Sequence, residues 1–138
     1  MQGKVRMDNF KTSPLDMVKD FAIVMGQPIN LPQSEWLDDE GTVEPFRFSL
    51  IEDEFDEFFH ERHEAKDAAA ALKELADLVY VCYGYASTFG WNLDEALARV
   101  HQNNLGRCIQ PDGSIQRRAD GKILKNPDYP KVELHDLL

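Results

Sequence analysis

Cysteine is scarce: Cys82 and Cys108 are the only two in 138 residues, far apart and in no C-x-x-C pair. That excludes a disulfide framework and reads as a reduced, cytoplasmic protein. Positive charge is also short, with 15 Lys and Arg against 25 Asp and Glu and a formal net charge of −10. Such a balance disfavours duplex nucleic acid and anionic membrane as partners, and a ligand carrying phosphates would need metal cations to accompany it. No apolar run approaches the roughly 20 residues of a membrane span, and no basic-then-apolar signal segment opens the chain, so neither insertion nor export is expected. Missing too are a Walker loop, a G-x-G-x-x-G and a G-x-S-x-G, which removes the standard nucleotide cradles and serine-hydrolase chemistry. His60-Glu61-Arg62-His63 fails as a zinc-protease helix because H-E-x-x-H needs a histidine where Glu64 stands.

What remains is 43% hydrophobic and of a length that suits one domain over 1–138. Residues 1–12 have no period and read as loosely held. Ser13-Pro14-Leu15-Asp16 announces a helix, with a capping hydroxyl, a proline at the first position and an acid in the first turn; Gly26 and Pro28 end it. The stretch 27–43 is long for a connection and reads either as a functional loop or lid or as a flexible surface loop. Phe48, Ile51, Phe55, Phe58 and Phe59 follow the helical period over 44–64. A third helix is expected over 67–89, closed by Gly90. A fourth opens at a capping box of Asn92 and Glu95 and runs to about Leu105, with Gly106 as its stop. The tail 107–138 carries the turn signals Pro111-Asp112-Gly113, Asp120-Gly121, Pro127 and Pro130, so a short β-hairpin is possible there but no fifth helix. The fold class is therefore all-α, an antiparallel four-helix bundle-like core with an irregular C-terminal tail.

Two acidic pairs stand out. Glu54 and Glu57, with Asp53 beside them, border the apolar stripe of the second helix, where they read equally as solvated charge. In the third helix, Glu74 and Asp77 repeat the spacing, and Asp77 is the sole charge from Leu75 to Ala86. A helix so apolar is expected to be buried nearly all round. A carboxylate there needs a cation, and the candidates are Lys73 or Arg99, protonation, or a bound metal. The 16 residues between Glu57 and Glu74 suffice to turn the chain into an antiparallel neighbour, so both pairs can face one space. Four oxygen ligands suit Mg2+, with Mn2+ as the alternative, better than zinc; Glu57 and His60 supply only half of a di-iron pattern.

With these residues in place, the chain resembles the all-alpha NTP pyrophosphohydrolases, which include MazG-like proteins, dimeric dUTPases and phosphoribosyl-ATP pyrophosphohydrolase. Leu50-Ile51-Glu52-Asp53-Glu54-Phe55-Asp56-Glu57 is similar to the family's E-x-x-E helix, and Lys73 to Tyr80 to its E-x-x-D helix. The likeness continues through Gly90 to Leu97, Val100-His101-Gln102-Asn103-Asn104-Leu105, and the basic stretch Asp120 to Lys125. The resemblance implies that Glu54, Glu57, Glu74 and Asp77 bind Mg2+ with Asp53 assisting, that Asn104 lies near the nucleoside, and that Lys122 or Lys125 lies near the phosphates; His101, three residues before Asn104, is a further substrate-binding candidate, and the two read alternatively as residues of a helix polar face. Relatives often carry lysine where this chain has Arg107, which keeps the charge but changes the geometry of a phosphate contact.

The implied activity is hydrolysis of a (deoxy)nucleoside triphosphate or related nucleotide to the monophosphate and pyrophosphate, a nucleotide-pool role, with Asp53 or Glu54 accepting a proton from water. The alternative is a non-catalytic helical module that binds nucleotide or a protein partner and retains the metal site. Tyr80, Tyr83, Phe58 and Phe59 exceed what one small core needs, and with the resemblance they point to a homodimer or a dimer of dimers. Trp36 or Phe46 could stack on a base or serve core and interface.

Overall fold

A computed structural model describes residues 13–138. The loosely held segment expected over 1–12 lies outside the described residues. Four α-helices and no strand are present among them: α1 Pro14–Val24, α2 Val43–His60, α3 Ala68–Thr88 and α4 Leu93–Cys108. The fold class is all-α, as expected. Two compact units share the chain, the first closing at Leu93 and the second covering Asp94–Leu137.

Local chemistry sets the helix ends of the first unit. Ser13 Oγ accepts the Asp16 N–H at 3.2 Å and Pro14 occupies the first position of α1. At the other end Gly26 takes φ +68°, its N–H reaches Ile23 O and that of Gln27 reaches Ala22 O at 2.8 Å, the paired bonds of a Schellman stop. The close of α3 repeats this device: Gly90 takes φ +70°, Gly90 N–H bonds Ser87 O and Trp91 N–H bonds Ala86 O at 2.9 Å. Between α2 and α3 the chain passes through a π-helical turn, Glu61–Ala65, and reverses at Lys66, whose φ of +53° is left-handed. Asp67 then caps α3 by accepting the N–H groups of Ala69 and Ala70.

Helix α3 packs against both α1 and α2. Leu15 and Val18 of α1 and Tyr83 of α3 form a buried cluster, with Ala22, Ala86 and Phe89 also buried. The connection 27–43 is tied down. Trp36 Nε1 donates to the Tyr85 hydroxyl at 2.8 Å, Trp91 Nε1 donates to Gln33 at 2.9 Å, and the Trp36 and Trp91 rings meet edge to face. Two further bonds, Asn30 N–H to Ser87 O and Leu31 N–H to Thr88 O, lay its start along the end of α3.

Three expectations change. First, α3 is not buried nearly all round: Leu72 is 66% exposed, and Leu75, Val79 and Tyr80 are exposed as well, with α1, α2 and the π-helical turn packed against the helix within the first unit. Second, Gly106 does not stop the fourth helix. Tyr129 of the same unit fills the space a Cβ would need there, and the helix runs on to Cys108. Third, the possible hairpin of the tail is reduced to a single antiparallel bridge between Arg117 and Ile123 around the Gly121 turn, and a short 3-10 turn follows at His135–Leu137. Cys82 and Cys108 are free thiols, and no helix among the described residues is long and apolar enough to cross a membrane.

Candidate metal centre

Because α2 and α3 pack side by side after a short reversal, their acidic pairs meet. Carboxylate oxygens of Glu54, Glu57 and Glu74 lie within 4.8 Å of one another. Glu54 and Glu74 are half-buried, and each has one oxygen, Oε2, that is buried and has no hydrogen-bond partner. Burial, then the neighbouring carboxylate of Glu57 and, more weakly, those of Asp77 and Glu74, hold the Glu54 carboxyl above its ordinary range. Two orphaned, water-shielded oxygens among like charges are costly as they stand. A hard divalent cation supplies what such a set lacks, so these side chains fit the metal that the sequence pattern implies.

Asp77 behaves differently from its expected role as the principal reason for a metal. Its side chain is 37% exposed and its Oδ2 receives Lys73 Nζ at 2.6 Å, with Lys73 also 3.4 Å from Glu74. These two acids hold the exposed Lys73 ammonium well above its usual value, the bond to Asp77 contributing most. One turn of α3 thus supplies the salt bridge that was an alternative to a metal. Arg99, the other candidate, is engaged by Glu95 and by both oxygens of Asp136. Asp53 is exposed beside Glu54.

A cavity of about 240 Å3 adjoins the acids: Glu54 and Asp77 line it together with Gln27, Arg47, Ser87 and Thr88. Phe21 and Tyr80, whose rings meet edge to face at 5.7 Å, contribute to its wall. Arg47 escaped the sequence reading. It is only 8% exposed, its Nε is buried without a partner, and burial lowers its pKa from the usual guanidinium value. A signal was available: an arginine between Phe46 and Phe48, one heptad before Glu54, shares that residue's face of the helix.

The remaining candidates belong to the second unit. Asn104 Oδ1 accepts from Arg107 Nη2 at 2.7 Å, while Arg107 Nε is buried and unpartnered. His101, Lys122 and Lys125 are exposed, and Lys122 follows a turn in which its N–H bonds Asp120.

Residues 18–104 match the family model of phosphoribosyl-ATP pyrophosphohydrolase. The chain belongs to that family. The phosphoribosyl-ATP pyrophosphohydrolase family is part of the all-alpha NTP pyrophosphohydrolase superfamily. Membership makes the protein a pyrophosphohydrolase, a hydrolase acting on an acid anhydride of a nucleotide. The family match spans all four acids, Arg47, His101 and Asn104, and ends before Arg107, Lys122 and Lys125. No curated protein matches the chain.

Proposed function

We propose that the protein hydrolyses a nucleoside triphosphate to the monophosphate and pyrophosphate, with Glu54, Glu57, Glu74 and Asp77 holding Mg2+ or Mn2+. The observation that carries this reading is the pair of buried, partnerless oxygens on Glu54 and Glu74, inside a three-carboxylate cluster on facing helices of a pyrophosphohydrolase family member. When bound, the cation would offset charge on the triphosphate and lower the pKa of the attacking water. Asp53 or Glu54 is the proposed acceptor of that water's proton. On the strength of the resemblance, His101, Asn104, Arg107, Lys122 and Lys125 are the proposed nucleotide contacts, and Arg107 Nη2 donates to Asn104 Oδ1.

A homodimer, or a dimer of dimers, is part of the proposal. Phe55 and Phe59 on α2 and Leu72, Leu75 and Val79 on α3 remain exposed, an apolar area that a second copy would cover.

The test is product analysis with Mg2+ over a panel of ribo- and deoxynucleoside triphosphates and phosphoribosyl-ATP. Release of pyrophosphate from a triphosphate supports the reading. Release of nucleoside diphosphate and orthophosphate, or turnover of phosphoribosyl-ATP alone, would refute it.

A further inference from the structure

We infer that Arg47 is a substrate-binding residue: its guanidinium donates to an acceptor atom of the bound nucleotide, inside the cavity that Glu54 and Asp77 also line. The inference rests on the nucleotide reading proposed above and adds to it a binding residue outside the acidic cluster.

The isolation of Arg47 carries the argument. It is 8% exposed, its Nε is buried without a hydrogen-bond partner, and among the described residues its guanidinium makes no hydrogen bond or ion pair. A cation–π contact with the Phe46 ring, 5.6 Å to the centre, occupies none of its N–H donors. Glu44 stands three residues before it, a spacing at which helical ion pairs form, yet that carboxylate accepts the Tyr85 hydroxyl at 2.9 Å instead. A lysine or a carboxyl group so placed can shed its charge and relieve the cost of burial. Arginine keeps its charge, so only an acceptor relieves it.

Two crossings between α2 and α3 relate Arg47 to the acids. Tyr85 meets Glu44 near the start of α2, and Glu74 meets Glu57 toward its end. The two helices therefore run antiparallel, and counting inward from the crossings sets Arg47 near Gly84 and Glu54 near Asp77. All four residues line the one cavity. Arg47 precedes Glu54 by seven residues, about 10 Å along the helix axis. A nucleotide whose phosphates are held at the acids by a cation is long enough to bring one of its acceptors to Arg47, from a phosphate or from the nucleoside. Gln27 lines the cavity as well, but its amide both donates and accepts and so makes no demand for one kind of group. Arg47, with donors alone, does.

The experiment measures binding and turnover separately. Calorimetric titration in Mg2+ compares the wild type, Arg47→Met and Arg47→Lys, using the α,β-imido analogues of the four deoxynucleoside triphosphates and inorganic triphosphate as probes. Arg47→Met should weaken binding of the analogue that the wild type holds best by roughly ten- to hundredfold, the usual worth of a hydrogen bond to a charged group. Its metal-free Tm should not fall, since the change removes an unpartnered buried charge and keeps most of the volume. Arg47→Lys keeps the charge but loses the planar paired donors; it should bind with intermediate affinity, and it carries the test if Arg47→Met fails to fold. Equal weakening toward inorganic triphosphate puts the acceptor on a phosphate, and weakening confined to the nucleotide analogues puts it on the nucleoside; both support the inference. A structural role alone predicts a lowered Tm with affinity intact. Wild-type affinity in the folded variants, or no analogue binding by the wild type, overturns the inference even where pyrophosphate is released. Weakened binding in the variants without pyrophosphate release from natural triphosphates sinks the hydrolytic reading and leaves this one standing.

Discussion

Lys73 Nζ stands 2.6 Å from Asp77 Oδ2 across one turn of α3, so an acid of that helix that lines the cavity already holds a cation of the protein's own. The ammonium is exposed, and pairs of this kind are weak in water. A divalent ion with several carboxylates in reach competes with it.

Lys73→Met should therefore tighten binding of Mn2+, roughly two- to fivefold on the usual strength of exposed pairs. Titration followed by the Mn2+ paramagnetic signal would read it. Weaker binding in the variant would mean that Lys73 positions Asp77 rather than competing for it.

Glu74→Gln removes one charge from the cluster and one metal ligand. Turnover should fall by about 10²-fold or more, while the metal-free protein melts at the same temperature or higher, because like charges no longer crowd a half-buried site. Pyrophosphate release and thermal melting in EDTA test both halves; wild-type activity in Glu74→Gln would remove Glu74 from the metal site.

The raised pKa of Glu54 fixes the sign of a pH effect. With the folded value above the unfolded one, the folded chain holds the extra proton between them, so this residue's contribution is fully present below its ordinary pKa of about 4.3 and is lost as pH rises through the folded value. Replacing it with a neutral isostere removes that loss. In EDTA, the Tm of Glu54→Gln minus that of the wild type should grow as pH rises from about 4 toward neutrality. A constant or shrinking difference would contradict the burial and like-charge repulsion assigned to Glu54.

Charge placed on the exposed stripe of α3 tests the assembly. Val79→Arg should turn the proposed homodimer into a monomer at micromolar concentration by light scattering, with the helical circular dichroism retained. A wild-type protein that is already monomeric would dispose of the dimer.

Gly106→Ala puts a methyl group into the space of the Tyr129 ring. Overpacking of this sort costs about 1–3 kcal/mol, and it should loosen the bond from Asn126 N–H to Arg107 O, 2.6 Å in length. Faster amide exchange at Asn126 is the expected result; unchanged exchange would show that Tyr129 does not pack there.

The helices and the candidate acids were legible in the chain because their causes are local. A serine before a proline, glycines at positive φ, a 3.6-residue stripe and the repeated acidic spacing each act within a turn or two, and the short connection from α2 to α3 was enough to bring the pairs face to face. What the tertiary structure alone decided is how each acid is satisfied. From the sequence, Asp77 made the strongest case for a metal, since it is the one charge in an apolar run. In the fold α3 keeps an open side, Asp77 reaches Lys73, and the unsatisfied oxygens belong instead to Glu54 and Glu74. Burial is a property of what packs opposite, which a periodic pattern does not contain. The same holds for Arg47: its isolation depends on α1, α2 and the end of α3 closing around one cavity, and no spacing within α2 specifies that.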